Sequence, residues 1–76
     1  MIVKTKDKQI ICNFDNAIGT RVINSQLIIE LINENIYLYC FTNKEAYSLR
    51  NDIFAAADKN KKAYILNSKY YQIIKD

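Results

Sequence analysis

An α+β fold is what this sequence predicts: an antiparallel, strongly curved β-sheet of about five to seven short strands, with one α-helix over about residues 43–59 packed on it. Three observations lead there. Apolar and polar residues alternate at strand period through most of the chain, and clusters of Asn, Asp and Ser interrupt that alternation often enough to supply the turns. After Tyr39 the period becomes helical, and Thr42 followed by Glu45 has the pattern of a capping box.

Each element follows from its residues. Met1 to Thr5 alternates as a short strand, and Lys6, Asp7 and Lys8 break it as a turn. Gln9 to Phe14 is a second strand, forming a hairpin with the first; Ile10, Cys12 and Phe14 share a face, with Ile11 and Asn13 opposite. Asp15 to Ala17 carries turn chemistry, because Asp and Asn side chains bond their own nearby backbone. Ile18 to Ile23 is a third strand in which Gly19 marks a bulge or a close backbone approach, and Asn24 and Ser25 close a tight turn.

Leu27, Ile29 and Leu31 then share one face of a fourth strand, with Ile28, Glu30 and Ile32 on the other. Asn33, Glu34 and Asn35 reverse the chain into "IYLYCF". An apolar run this short also fits half of a buried helix, but strands and turns flank it and no cap precedes it, so the strand is preferred.

In the helix, the Thr42 hydroxyl is placed to accept from the amide at Glu45, and Ala46, Leu49, Ile53 and Ala56 or Ala57 recur as a packing stripe. Lys44, Ser48, Asp52 and Lys59 take the far side. Lys59, Lys61 and Lys62 suit the negative end of the helix dipole, and Asn60 suits the left-handed stop. "AYIL" and "YYQII" are two last strands, separated by Asn67, Ser68 and Lys69.

Seventy-six residues make one domain, 1–76, close to the lower size limit for an unstapled core. Half the residues are apolar, yet the longest apolar runs are far too short for a bilayer. "MIVKTKDKQ" lacks the apolar stretch of a signal peptide, so residence in the cytoplasm of a bacterial cell is expected. Cys12 and Cys40 lie in apolar runs far apart in sequence, which favours two reduced core thiols over a disulfide; without histidine, metal ligation is less favoured still. Isoleucine, asparagine, lysine and tyrosine make up nearly half the chain. All four have AT-rich codons, so the formal charge of +3 reflects genome composition before function.

Several chemistries are excluded by composition. No histidine means no Ser/His/Asp or Cys/His nucleophile, and a single glycine rules out a glycine-rich phosphate loop. The carboxylates are scattered through turns, strand and helix without a spaced pair. A non-enzymatic role without a cofactor is the expectation.

The fourth and fifth strands raise the functional question. Leu27, Ile29, Leu31, Ile36, Leu38 and Cys40 form one apolar face, while Ile28, Ile32, Tyr37, Tyr39 and Phe41 form another. One helix covers one face only. The sheet curls into a partial barrel, or a second copy of the chain, or a different molecule, covers the other. On the helix, Tyr47, Arg50 and Phe54 lie round from the packing stripe, either as shoulders of a wide core face or as the Tyr, Arg and Phe mixture common at binding hot spots.

Two alternatives stand beside protein binding. Lys4, Lys6 and Lys8 near the first turn, and Lys59, Lys61, Lys62 and Lys69 with Tyr64, Tyr70 and Tyr71 near the last, fit phosphate attraction and base stacking on a nucleic acid. Tyrosines stacking on a base, with Arg21 or Arg50 on phosphate, fit a sponge for a small nucleotide signal.

"IICNFDNA", "YLYCF" and "TNKEAYSLRNDI", within about residues 9–53, resemble small proteins of low-GC bacteria and their phages. The chain also has the look of small phage-encoded accessory proteins, including inhibitors of host defence such as anti-CRISPR proteins. That resemblance implies a self-associating, single-domain inhibitor of a bacterial defence system; it assigns no site residue. Self-association and a protein target, engaged through Tyr37, Tyr39, Phe41, Tyr47, Arg50 and Phe54, are therefore the expectation.

Overall fold

A computed structural model describes residues 1–7, 9–67 and 72–75. In chain order the elements are β1 (Ile2–Thr5), β2 (Ile10–Asn13), a 3-10 turn (Phe14–Asn16), β3 (Gly19–Ile23), β4 (Gln26–Glu30), β5 (Asn35–Tyr39), α1 (Asn43–Asp58), β6 (Ala63–Leu66) and β7 (Gln72–Lys75). The fold class is α+β with one helix, as the sequence predicts.

The single curved sheet is not found. The strands form two separate sheets, β2-β1-β6 and β3-β4-β5-β7, and neither is closed or strongly curved. The pairing is not wholly antiparallel either, since β6 runs parallel to β1 with Val3 beside Tyr64 and Thr5 beside Leu66. A parallel pair cannot be joined by a tight turn; α1 lies on the return path that brings β6 alongside β1. The chain leaves the first sheet at the 3-10 turn, where Asn13 Oδ1 accepts from the Asp15 amide at 3.1 Å.

The β1–β2 hairpin contains a bulge that reverses one expectation. Val3 pairs with Cys12 but Lys4 pairs with Ile10, which leaves Ile11 as the extra residue. Ile11 and Cys12 are thus both buried while Ile10 is exposed, instead of Ile10 sharing a buried face with Cys12. Strict alternation cannot place two consecutive residues inward; the bulge can.

In the second sheet the expected turn is found. Asn24 and Ser25 both have positive φ, 51° and 62°, as a two-residue hairpin with type I′ geometry requires. Their turn is fastened to the helix start by the Ser25 amide, which donates to Asn43 Oδ1 at 2.6 Å. Gly19 sits against Glu30, where an added Cβ would come 3.4 Å from Oε1.

Both ends of α1 follow local chemistry. Thr42 is extended and its hydroxyl accepts from the Glu45 amide at 3.1 Å. At the other end Asn60 takes φ 56°, its amide donates to Ala57 O, and the Lys61 amide donates to Ala56 O: a Schellman stop, one residue earlier than the expected boundary at Lys59. The stripe Ala46, Leu49, Ile53 and Ala56 is buried, with Ala57 only half-buried.

One core joins these parts. Leu27, Ile29, Ile36 and Leu38 from one sheet meet Ala46, Leu49 and Ile53 of the helix and Val3, Ile11, Cys12 and Leu66 of the other sheet. Burying each such aliphatic side chain contributes about 1.5–3 kcal/mol relative to leaving it exposed. Cys12 is buried and Cys40 half-buried, and neither is in a disulfide. Among the described residues no helix is long and apolar enough to cross a membrane.

Candidate interaction surface

The register of the four-stranded sheet fixes which side chains share its outer face. Leu27 pairs with Leu38 and Ile29 with Ile36, all core residues, so the alternate residues point away from the core. Arg21, Ile28, Tyr37 and Ile74 form one row across β3, β4, β5 and β7. Ile23, Gln26 and Tyr39 form the next.

Exposure follows position in this surface. Ile28, at the centre, is 3% exposed although it lies outside the core cluster. Tyr37 and Tyr39 are half-buried, and Ile23 and Ile74 at the flanks are 47% and 40% exposed. Among the described residues the charges on the face are those of Arg21 and Glu30, which pair at 3.4 Å between Nε and Oε1. A water-facing side of an antiparallel sheet ordinarily alternates to polar residues; this one is apolar and aromatic round a single neutralised pair.

Two residues expected here belong elsewhere. β4 ends at Glu30 and β5 at Tyr39, so Ile32 and Phe41 leave the ladder for loops and do not extend the Tyr37 and Tyr39 surface as strand residues. Phe41 is 69% exposed in the segment before the helix cap.

On the helix, Tyr47, Arg50 and Phe54 do not act as one row. The Arg50 guanidinium carbon lies 5.1 Å from the Tyr47 ring centroid, a cation–π contact, and Arg50 Nε is buried without a hydrogen-bond partner. Phe54 instead meets Phe14 edge to face, with ring centroids 5.6 Å apart. Phe54 thus packs on the neighbouring segment while 41% exposed, and Tyr47, 45% exposed, carries the half-buried Arg50.

The basic residues divide likewise. Lys59, Lys61 and Lys62 are exposed beyond the end of α1. Two shallow crevices there, of about 250 and 270 Å³, include Asp52 in one, where its carboxylate opposes an anion, and Asp15 in the other, where it pairs with the Met1 ammonium at 2.8 Å. Lys69, Tyr70 and Tyr71 lie outside the described residues.

Sequence reasoning missed Ile23, Ile74 and the Arg21–Glu30 pair. The signal was present in the two-residue turn, since placing Ile23 opposite Gln26 sets Arg21 opposite Ile28. It also missed a crevice of about 560 Å³ between the segments Asp15–Ile18 and Leu31–Glu34, lined by exposed Ile18 and Ile32. Loop residues so far apart in sequence carry no shared pattern.

Burial pushes the Cys40 thiol up to about 11, with the Glu45 carboxylate adding to the effect, so it is a protonated thiol at neutral pH. Among the described residues no group of three His, Cys, Asp or Glu could hold a metal ion. Compared with known protein families, curated proteins and solved structures, the chain matches none.

Proposed function

We propose that this protein is a non-enzymatic protein-binding module whose target docks on the outer face of the β3-β4-β5-β7 sheet, and that it also self-associates. The observation that carries this reading is the second apolar face itself: Ile23, Ile28, Tyr37, Tyr39 and Ile74 side by side on the side away from the core. Tyrosines give large contact area while their hydroxyls still reach water at the rim. With Arg21 already neutralised by Glu30, the face suits an uncharged apolar patch on a protein rather than a polyanion.

Inhibition of a bacterial defence protein in the host cytoplasm is the specific form of this reading. It draws on the resemblance to small phage-encoded accessory proteins alone. Nucleic-acid binding draws less support, because Asp52 shares the crevice of Lys59 and Lys61.

The test replaces Tyr37 and Tyr39, both half-buried, one at a time by glutamate. Affinity for a defence protein that the wild type binds should fall by more than tenfold, as when an aromatic hot spot is lost, with the melting curve kept. Unchanged affinity in both variants refutes docking at this face. Retained binding that weakens steeply with added salt and is competed by DNA or RNA would favour the nucleic-acid alternative.

A further inference from the structure

We infer that the free edge of β3 pairs with β3 of a second copy, antiparallel, joining two four-stranded sheets into one. This rests on the self-association part of the proposed function and assigns it a surface; it is separate from what the outer face binds.

The hairpin geometry exposes the edge. The two-residue turn makes Ile23 and Gln26 a hydrogen-bonded pair, so Arg21 also exchanges its backbone bonds with β4, opposite Ile28. The N–H and C=O groups of Thr20 and Val22 then point the opposite way, and β3 is the outermost strand of its sheet. Among the described residues no backbone bond to a turn, loop or cap uses them.

Of the strand edges in the two sheets, this one is the least protected. β2, β6 and β7 are each four residues long, whereas β3 has five. A bulge interrupts the β1–β2 pairing, and Lys61 and Lys62 directly precede β6. Natural edges are blunted by just such short length, bulges and lysines. "GTRVI" has neither lysine nor proline, and its three β-branched residues favour extended pairing.

A second copy fits this edge because the strand is complementary to itself. With the two-fold axis beside Arg21, Thr20 of each copy exchanges both backbone bonds with Val22 of the other. Ile23, 47% exposed, comes opposite Gly19, which has no side chain to obstruct it. Arg21 faces its own symmetry mate, but each guanidinium already has the carboxylate of Glu30 at 3.4 Å, which offsets the repulsion. The same pairing lays two outer faces edge to edge as one longer surface.

Amide hydrogen exchange of the full chain, at low and at high protein concentration with sedimentation in parallel, tests this. A dimeric mass should appear at high concentration, and exchange at Thr20 and Val22 should slow there by about tenfold or more, while Arg21 and Ile23 are protected throughout. Val22→Pro removes an N–H that β4 does not use and should raise the dissociation constant by about tenfold.

A monomer at high concentration overturns the inference. So does a dimer in which Thr20 and Val22 exchange as fast as in the monomer, an outcome that leaves self-association standing and moves it elsewhere. The exchange measurement needs no substitution, so it decides even where Val22→Pro fails to fold. Tyr37→Glu should leave this dimer intact; a dimer abolished by Tyr37→Glu but not by Val22→Pro also overturns the edge assignment.

Discussion

Ile28 stands directly opposite Tyr37 in the β4–β5 ladder, on the face turned away from the core, and is nevertheless 3% exposed. In its row across the sheet, Ile28 lies between Arg21 and Tyr37, with Ile74 beyond. The neighbouring Ile29, 0% exposed, is enclosed by the core instead.

This difference is measurable by urea denaturation. Ile29→Ala should cost about 2–5 kcal/mol, as for an aliphatic truncation that leaves a cavity. Ile28→Ala should cost about 1–2 kcal/mol, because its same-face neighbours can settle into the space or admit water. Equal losses at the two positions would mean that Ile28 is enclosed as fully as the core.

Asn60 holds a left-handed conformation with φ 56° at the helix stop. Asn60→Gly should be neutral or stabilising by up to about 1 kcal/mol, since glycine adopts that conformation freely. Asn60→Val should destabilise by about 1–2 kcal/mol through its branched Cβ. Thermal melts of the two variants against wild type give the comparison, and the reverse order would contradict the Schellman stop.

Arg50 keeps its Nε buried without an acceptor while its guanidinium rests on Tyr47. Arg50→Met keeps an unbranched side chain of similar reach and removes the orphan donor, so stability should change by less than about 1 kcal/mol in either direction. A large loss in chemical denaturation would show that the cation–π contact outweighs the unsatisfied N–H.

Cys40 gives a signed pH dependence. Its folded-state thiol titrates at about 11 against an ordinary value of 9.0, first through burial and then through the Glu45 carboxylate. Between those values the unfolded chain has released the proton and the folded chain retains it, so this residue lowers stability as pH rises through that window. Cys40→Ala should flatten the alkaline fall in melting temperature. At neutral pH, iodoacetamide should alkylate native Cys40 far more slowly than the unfolded chain.

The helix was legible in the sequence down to its caps because capping is local: Thr42 and Glu45, and Ala56, Ala57, Asn60 and Lys61, interact within one or two turns. The Asn24–Ser25 hairpin was legible for the same reason. Of the candidate surface, Tyr37 and Tyr39 could be placed on one strand face by alternation. Ile23 and Ile74 could not be joined to them without the pairing of β3 with β4 and of β5 with β7. Phe54 shared a residue type and a helix shoulder with Tyr47, but its partner is Phe14, forty residues earlier.

The amino-acid order by itself determined the α+β class, the strand periods, the helix ends and the surplus of apolar strand faces, since these depend on contacts between residues close along the chain. Tertiary structure alone decided that there are two sheets, that β6 returns parallel to β1, that the bulge turns Ile11 and Cys12 inward together, and that β3 is an outermost strand. Those choices depend on which distant backbones exchange hydrogen bonds, and every strand offers the same N–H and C=O groups. Alternation specifies the two faces of a strand, but packing selects the strand that lies beside it.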